Sequence, residues 1–197
     1  ILGCAAATGG SVVCSAVEHP AVLEAVSSLE RGATFGTDAR GVADLDALAE
    51  VLDDEVSLVS IMTVNNEVGS VQPVAEVAAL VRERVPDAIL HTDAVQALNW
   101  VDLRTISPHV DMLSMSAHKF GGPQGVGLCA VRPGVPPGRR QVGGGQERDR
   151  RSGTLNVPGI LAMAAAATEA DSARDSESTR LGQLRDDLFE RDAVQGV

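Results

Sequence analysis

The chain has 197 residues, 44% of them hydrophobic, enough for one sizeable domain with a large core and the start of another. Aromatic residues make up only 2% and tyrosine is absent, so Val, Leu, Ile and Ala must fill that core. A formal net charge of −11 argues against nonspecific nucleic-acid binding, which needs a basic footprint, although Arg139, Arg140, Arg148, Arg150 and Arg151 form a local basic cluster.

Residues 1–10 read as the end of an Ala-rich helix closed by Gly9 and Gly10. Val12 to Val17 is a short apolar run of strand type. Glu18-His19-Pro20 turns the chain into a helix, since Pro at a first helical position loses no hydrogen bond. Ala21, Val22, Ala25, Val26 and Leu29 give that helix its buried stripe, and Gly32 is expected to end it. A strand is predicted at Ala33 to Thr37. Asp44 then caps a helix carrying Leu45, Leu48 and Leu52.

Val56 to Thr63 is a continuous apolar run without alternation, the pattern of a strand buried on both faces. It ends in the polar loop Val64-Asn65-Asn66-Glu67-Val68-Gly69. A helix follows from Pro73 to Val85, then a strand from Ala88 to His91 that ends at Asp93. Ala94 to Trp100 is a turn or short helix. Val110 to Met115 is the next strand, and it leads into Ser116-Ala117-His118-Lys119 and a glycine-rich loop. Val126 to Val131 is the last strand. Val157 to Ala170 and Thr179 to Phe189 are predicted as two helices, the second more charged. Strands alternating with helices over short connections indicate an α/β fold with a mostly parallel sheet.

The three cysteines, Cys4, Cys14 and Cys129, fit neither a CxxC metal site nor a disulfide framework, and each is expected as a buried structural thiol. No signal-peptide pattern and no apolar run of spanning length occurs, so a soluble, cytoplasmic chain without membrane contact is expected. Ile1-Leu2-Gly3 begins in mid-pattern without an initiator Met. Val194-Gln195-Gly196-Val197 stops without an evident element. The expectation is a fragment of a longer protein.

Polar residues gather where the strands end: Asn65, Asn66, Asp93, Gln96, Ser116, His118 and Lys119. Ligands of parallel sheets bind outside the carboxyl ends of strands, so these positions should meet in one crevice. Nearly all the cations are arginines, which makes Lys119 distinctive. A lysine there can hold an aldehyde cofactor as a Schiff base, or it can be a surface lysine in a turn. Asp93 is placed to hold a cofactor ring nitrogen protonated, or to cap a helix. Gln96 can donate to a ring oxygen or be a surface amide. His19 can stack on a ring or merely open a helix. Asn66 can bind ligand or sit in a turn. Ser116 and His118 can hold a phosphate, or Ser116 can bond its own backbone. Glu147 to Thr154 is an anion-binding loop or a solvated one.

Five stretches together resemble the cysteine desulfurases among the class V, fold-type I pyridoxal-phosphate enzymes. They are Ala16-Val17-Glu18-His19-Pro20-Ala21-Val22, Val64-Asn65-Asn66-Glu67-Val68-Gly69, His91-Thr92-Asp93-Ala94-Val95-Gln96, Ser116-Ala117-His118-Lys119, and Gly143-Gly144-Gly145-Gln146-Glu147-Arg148 with Arg151-Ser152-Gly153-Thr154. They fall in the family's order, and the resemblance runs from about residue 1 to residue 170. It implies a three-layer fold-type I large domain over residues 1–172, with the opening of a small C-terminal domain at 173–197. It also implies pyridoxal 5'-phosphate held on Lys119 as an imine, with Lys119 and His19 catalytic. Asp93 would pair with the ring nitrogen, Gln96 would face the ring oxygen, His19 would stack, and Asn66 would lie near ring and substrate. Ser116 and His118 would hold the phosphate, with Thr154 reaching it across a homodimer interface.

The implied reaction moves sulfur from L-cysteine to an enzyme thiolate and releases L-alanine. The sulfur then passes to an acceptor protein for iron–sulfur clusters or tRNA thiolation. A phosphate-binding turn expected before Ile1 is missing. So are the cysteine loop and substrate-carboxylate arginine expected after Val197, and the 197-residue chain alone is therefore expected to be inactive. A selenocysteine lyase, a class V aminotransferase or a non-catalytic scaffold are the rival readings.

Overall fold

The structure, a computed structural model, describes residues 1–136 and 138–190. Its frame is a six-stranded sheet in the order β2-β1-β3-β4-β5-β6. The strands are β1 (Ser11–Ser15), β2 (Gly32–Phe35), β3 (Val56–Ser60), β4 (Ile89–Asp93), β5 (Met112–Ser116) and β6 (Gly127–Val131). The first five are parallel, and β6 returns antiparallel to β5. Parallel neighbours need crossovers, and the helices supply them. Helix α2 (Pro20–Ser27) joins β1 to β2, α3 (Leu45–Val51) joins β2 to β3, and α4 (Val74–Arg84) joins β3 to β4. Helix α1 (Leu2–Thr8) precedes β1, and a short α5 (Leu103–Ile106) precedes β5.

Successive strand residues point to opposite faces, and the core follows that alternation. Val13, Val59, Leu90 and Leu113 pack on one face with Leu48 of α3 and Val74, Val77 and Val81 of α4. Val12, Cys14, Leu58, Ile89 and Met112 pack on the other with Cys4 of α1 and Val22 and Val26 of α2. Helices therefore cover both faces, which gives three layers. Each fully buried Val, Leu or Ile contributes roughly 1.5–3 kcal/mol by leaving water. The expected caps form. Asp44 accepts from the Asp46 and Ala47 amides at 2.9 and 3.2 Å, and Gly9 closes α1 at φ 74°, a left-handed conformation open to Gly without a Cβ penalty.

Three local expectations are corrected. Gly32 does not end α2, which stops at a Ser28 cap; it opens β2 instead, where a Cβ would collide with the Val26 carbonyl. The two C-terminal helices are one, α6 (Val157–Glu190). Nothing between residues 171 and 178 breaks a helix, and the pairs Arg174–Asp171 and Arg180–Glu177, each at 2.6 Å, bridge that stretch. The division proposed at 172/173 thus falls inside a continuous helix, and the terminal 191–197 stretch lies outside the described residues. Finally, Cys129 is exposed, because β6 is an edge strand that no helix among the described residues covers. Cys4 and Cys14 are buried as expected. No helix among the described residues is long and apolar enough to cross a membrane.

Candidate active site

The carboxyl ends of β1, β3, β4 and β5 lie along one edge of the sheet because these strands are parallel. Four loops leave that edge, and each delivers expected residues. The turn after β1 brings His19, the loop after β3 brings Asn66, the end of β4 brings Asp93 and Gln96, and the end of β5 brings Ser116, His118 and Lys119. These seven side chains, with Met62, Val64 and others, line one recess of about 320 Å³. A broader recess of about 570 Å³ adjoins it, sharing Asn66 and Gln96 and walled by Val68, Val71 and Trp100.

His19 is the N-cap of α2, and its Nδ1 accepts the Ala21 amide at 3.1 Å. That bond fixes the ring plane and leaves the proton on Nε2 in the neutral form. Asp93 accepts the Val95 amide on Oδ1 at 2.9 Å, and Oδ2 has no protein partner among the described residues. Burial raises the Asp93 pKa, while the Val95 N–H and the nearby His19 pull it down. Ser116 Oγ and His118 Nδ1 are 2.8 Å apart. Lys119 ends a 3-10 turn over Ala117–Lys119, is exposed, and is the only lysine of the chain. Asn99 Nδ2 donates to its carbonyl at 2.9 Å, and a Cβ at Gly122 would strike Ala117, so Gly is needed for the loop to fold back there.

Thr154 is not brought into the recess. It is exposed in the loop before α6. That loop is braced internally: Ser152 Oγ donates to the Gly144 carbonyl at 2.6 Å, Arg139 Nη2 donates to Ser152 Oγ at 2.5 Å, and the Gly153 amide donates to Gln146 Oε1 at 3.1 Å. Glu147, Arg148 and Asp149 all hold positive φ of 50–65°, at a cost of about 1–2 kcal/mol each.

Three polar residues beneath the recess were quoted in the motifs without a role. Glu18 is buried, and its carboxyl is raised to about 7, chiefly by that burial. Asn65 accepts the Glu67 and Val68 amides and donates to the Val17 carbonyl, so it shapes the loop that presents Asn66. His91 bridges three strands, with Nδ1 2.8 Å from Ser60 Oγ and Nε2 2.9 Å from Ser114 Oγ. Burial lowers its pKa to about 3, so it is neutral. The only sequence signal for these three is a polar residue inside or beside an apolar strand run. None of the cysteines lines the recess, and burial pushes the Cys14 thiol up to about 12, far from a working nucleophile.

The profile of the family "Aminotransferase class-V" matches residues 2–183. A cysteine desulfurase of Sinorhizobium fredii is 45% identical over 184 residues, which cover 90% of this chain and 46% of that protein. The cysteine desulfurase IscS of Methanosarcina thermophila is 40% identical, covering 92% of this chain and 46% of that one. Among solved structures, a NifS-like protein superposes with a TM-score of 0.89 at 38% identity, over 95% of this chain and 53% of that one. The chain spans about half the length of the curated relatives it matches.

Proposed function

The chain belongs to the class V aminotransferase family, a pyridoxal-phosphate-dependent family, and on that premise we propose that the recess holds pyridoxal phosphate and serves the removal of sulfur from L-cysteine to give L-alanine. The observation that carries this reading is the meeting of the chain's one lysine with Asp93 and His19 at four adjacent strand ends. The donor set fits the cofactor: an amine for its aldehyde, a carboxylate with one oxygen open for its ring nitrogen, a flat imidazole for its face, and hydroxyl and imidazole groups for its phosphate.

When bound, the cofactor supplies an electron sink for the substrate's Cα and Cβ chemistry. The chain's own residues do the rest. Lys119 Nζ would anchor the cofactor covalently and carry protons to and from the substrate. Asp93 Oδ2 would accept the ring N–H and keep that proton in place. His19, oriented by the Ala21 amide, would cover the ring face. Gln96 and Asn66 would donate to the ring oxygen and the substrate, and Ser116 and His118 would donate to the phosphate. The recess wall contains no thiol, and none of Cys4, Cys14 and Cys129 is assigned the role of sulfur acceptor.

The test incubates the 197-residue chain with pyridoxal phosphate and L-cysteine, then reduces it with borohydride. The expected result is cofactor mass on the Lys119 peptide, no persulfide on any of the three cysteines and no alanine above the cofactor-only control. Label confined to the amine of Ile1, the other amine available, would refute the site.

The reading extends to a homodimer in which Thr154 reaches the phosphate of the neighbouring site. Its exposure in a braced loop, outside its own recess, supports that role. In the full-length protein, a Lys119→Ala subunit mixed with a Thr154→Ala subunit should regain part of the activity, because one of the two sites in each mixed dimer is then intact. Verified mixed dimers without recovery would place Thr154 in its own subunit's chemistry.

A further inference from the structure

Glu18 sits directly before His19, in the turn that leaves β1. Its Oε1 accepts the Ser15 hydroxyl at 2.9 Å and the Met62 amide at 2.5 Å. Met62 belongs to the segment after β3 and lines the recess. Asn65 of the same segment donates to the Val17 carbonyl at 2.9 Å. Two bonds therefore tie the turn that carries His19 to the loop that carries Asn66. The other carboxyl oxygen, Oε2, is buried without any partner among the described residues, and the residue as a whole is only 4% exposed.

The titratable groups that bear on Glu18 are Asp93 from β4 and Cys14 from β1, and no cation is among them. An ionised, buried carboxylate oxygen with no donor is costly, and the charge of Asp93 adds to that cost, whereas a neutral acid costs far less. Burial first, with Asp93 adding to it, raises the Glu18 pKa to about 7 against the opposing pull of the Met62 amide and Ser15. Pairs of carboxyl groups whose surroundings push their pKa values apart take different roles.

We propose that Glu18 is a positioning residue that works as a neutral carboxylic acid: it pins the His19 turn to the β3 loop without adding a second negative charge near Asp93. The positioning half rests on the reading of the recess as a pyridoxal-phosphate site; the neutral-acid half does not.

Two measurements on the full-length protein test it. In the cofactor-free form, the folded state keeps the Glu18 proton up to about pH 7, whereas the unfolded chain releases it near 4.5. Stability from this group is therefore fully present below 4.5 and lost as pH rises toward 7. Glu18→Gln should flatten that part of the profile of unfolding midpoint against pH. In cofactor titrations followed by visible circular dichroism, Glu18→Ala should weaken uptake about tenfold and shrink the band, and Glu18→Gln should regain most of both. In a His19→Ala background, Glu18→Ala should add less than about twofold, since its effect runs through His19. A pH profile unchanged by Glu18→Gln overturns the neutral acid. Fully additive effects with His19, or a Gln variant as weak as the Ala variant, overturn the positioning role. A wild-type protein that takes up no cofactor overturns the site reading and the positioning role together, and the pH profile still decides the neutral acid.

Discussion

If the recess serves the proposed reaction, replacing Lys119 by Arg in the full-length protein should lower L-cysteine turnover by at least about 10³-fold and leave the fold intact. Lys119 is the chain's only lysine, so no second amine on a side chain can take over its covalent role. Arg keeps the positive charge and much of the length, but its guanidinium does not deprotonate at any working pH and cannot condense with an aldehyde. The substitution therefore separates charge from nucleophilicity. Lys119 is exposed at the end of a 3-10 turn, and its backbone carbonyl, not its side chain, takes the bond from Asn99. Stability should accordingly change by less than about 0.5 kcal/mol. The readouts are alanine release, the visible absorbance of the loaded protein and the thermal midpoint. Turnover within tenfold of the wild type would remove Lys119 from the chemistry.

The second large effect is expected at Asp93. Asp93→Asn preserves size, and its carbonyl oxygen can keep the 2.9 Å bond from the Val95 amide. What disappears is the negative charge that holds a ring proton in place. In the full-length protein, single-turnover alanine release should slow by roughly 10²–10⁴-fold. Stability should move the other way. Burial raises the Asp93 pKa, so the ionised form is penalised in the folded state, and that penalty grows as pH rises through the raised value. The amide escapes it. The Asn variant should therefore unfold at pH 7 no earlier than the wild type while reacting far more slowly. A variant that reacts at nearly the wild-type rate would show that another group holds the ring proton.

Much of this architecture was legible in the order of residues. An apolar run without alternation marked β3 as a strand buried on both faces, because a sheet covered on both sides has no wet face to record. Pro20 and Asp44 marked helix starts through the backbone chemistry of first turns. Polar residues at successive strand ends gave the site, since strands that all run parallel must release their carboxyl ends at the same edge. Seven of the eight expected site residues meet there; Thr154 lies apart.

Other features belong to neighbours that no local pattern names. That β3 lies beside β1, with β2 sent to the far side, is a matter of sheet order. It alone brings the Met62 amide to Glu18, 44 residues away in sequence, and turns a motif glutamate into a buried acid with one orphaned oxygen. The bridge from Ser60 through His91 to Ser114 needs three strands in register. The exposure of Cys129 was misjudged for the same reason. An apolar sequence states that a strand can be covered, and only the packing of other elements decides whether it is. Local propensity acts over a turn or two of chain and so is written in the sequence directly. Burial, orphaned polar atoms and shifted pKa values are sums over contacts from distant segments, and they take shape only when the sheet has closed its order.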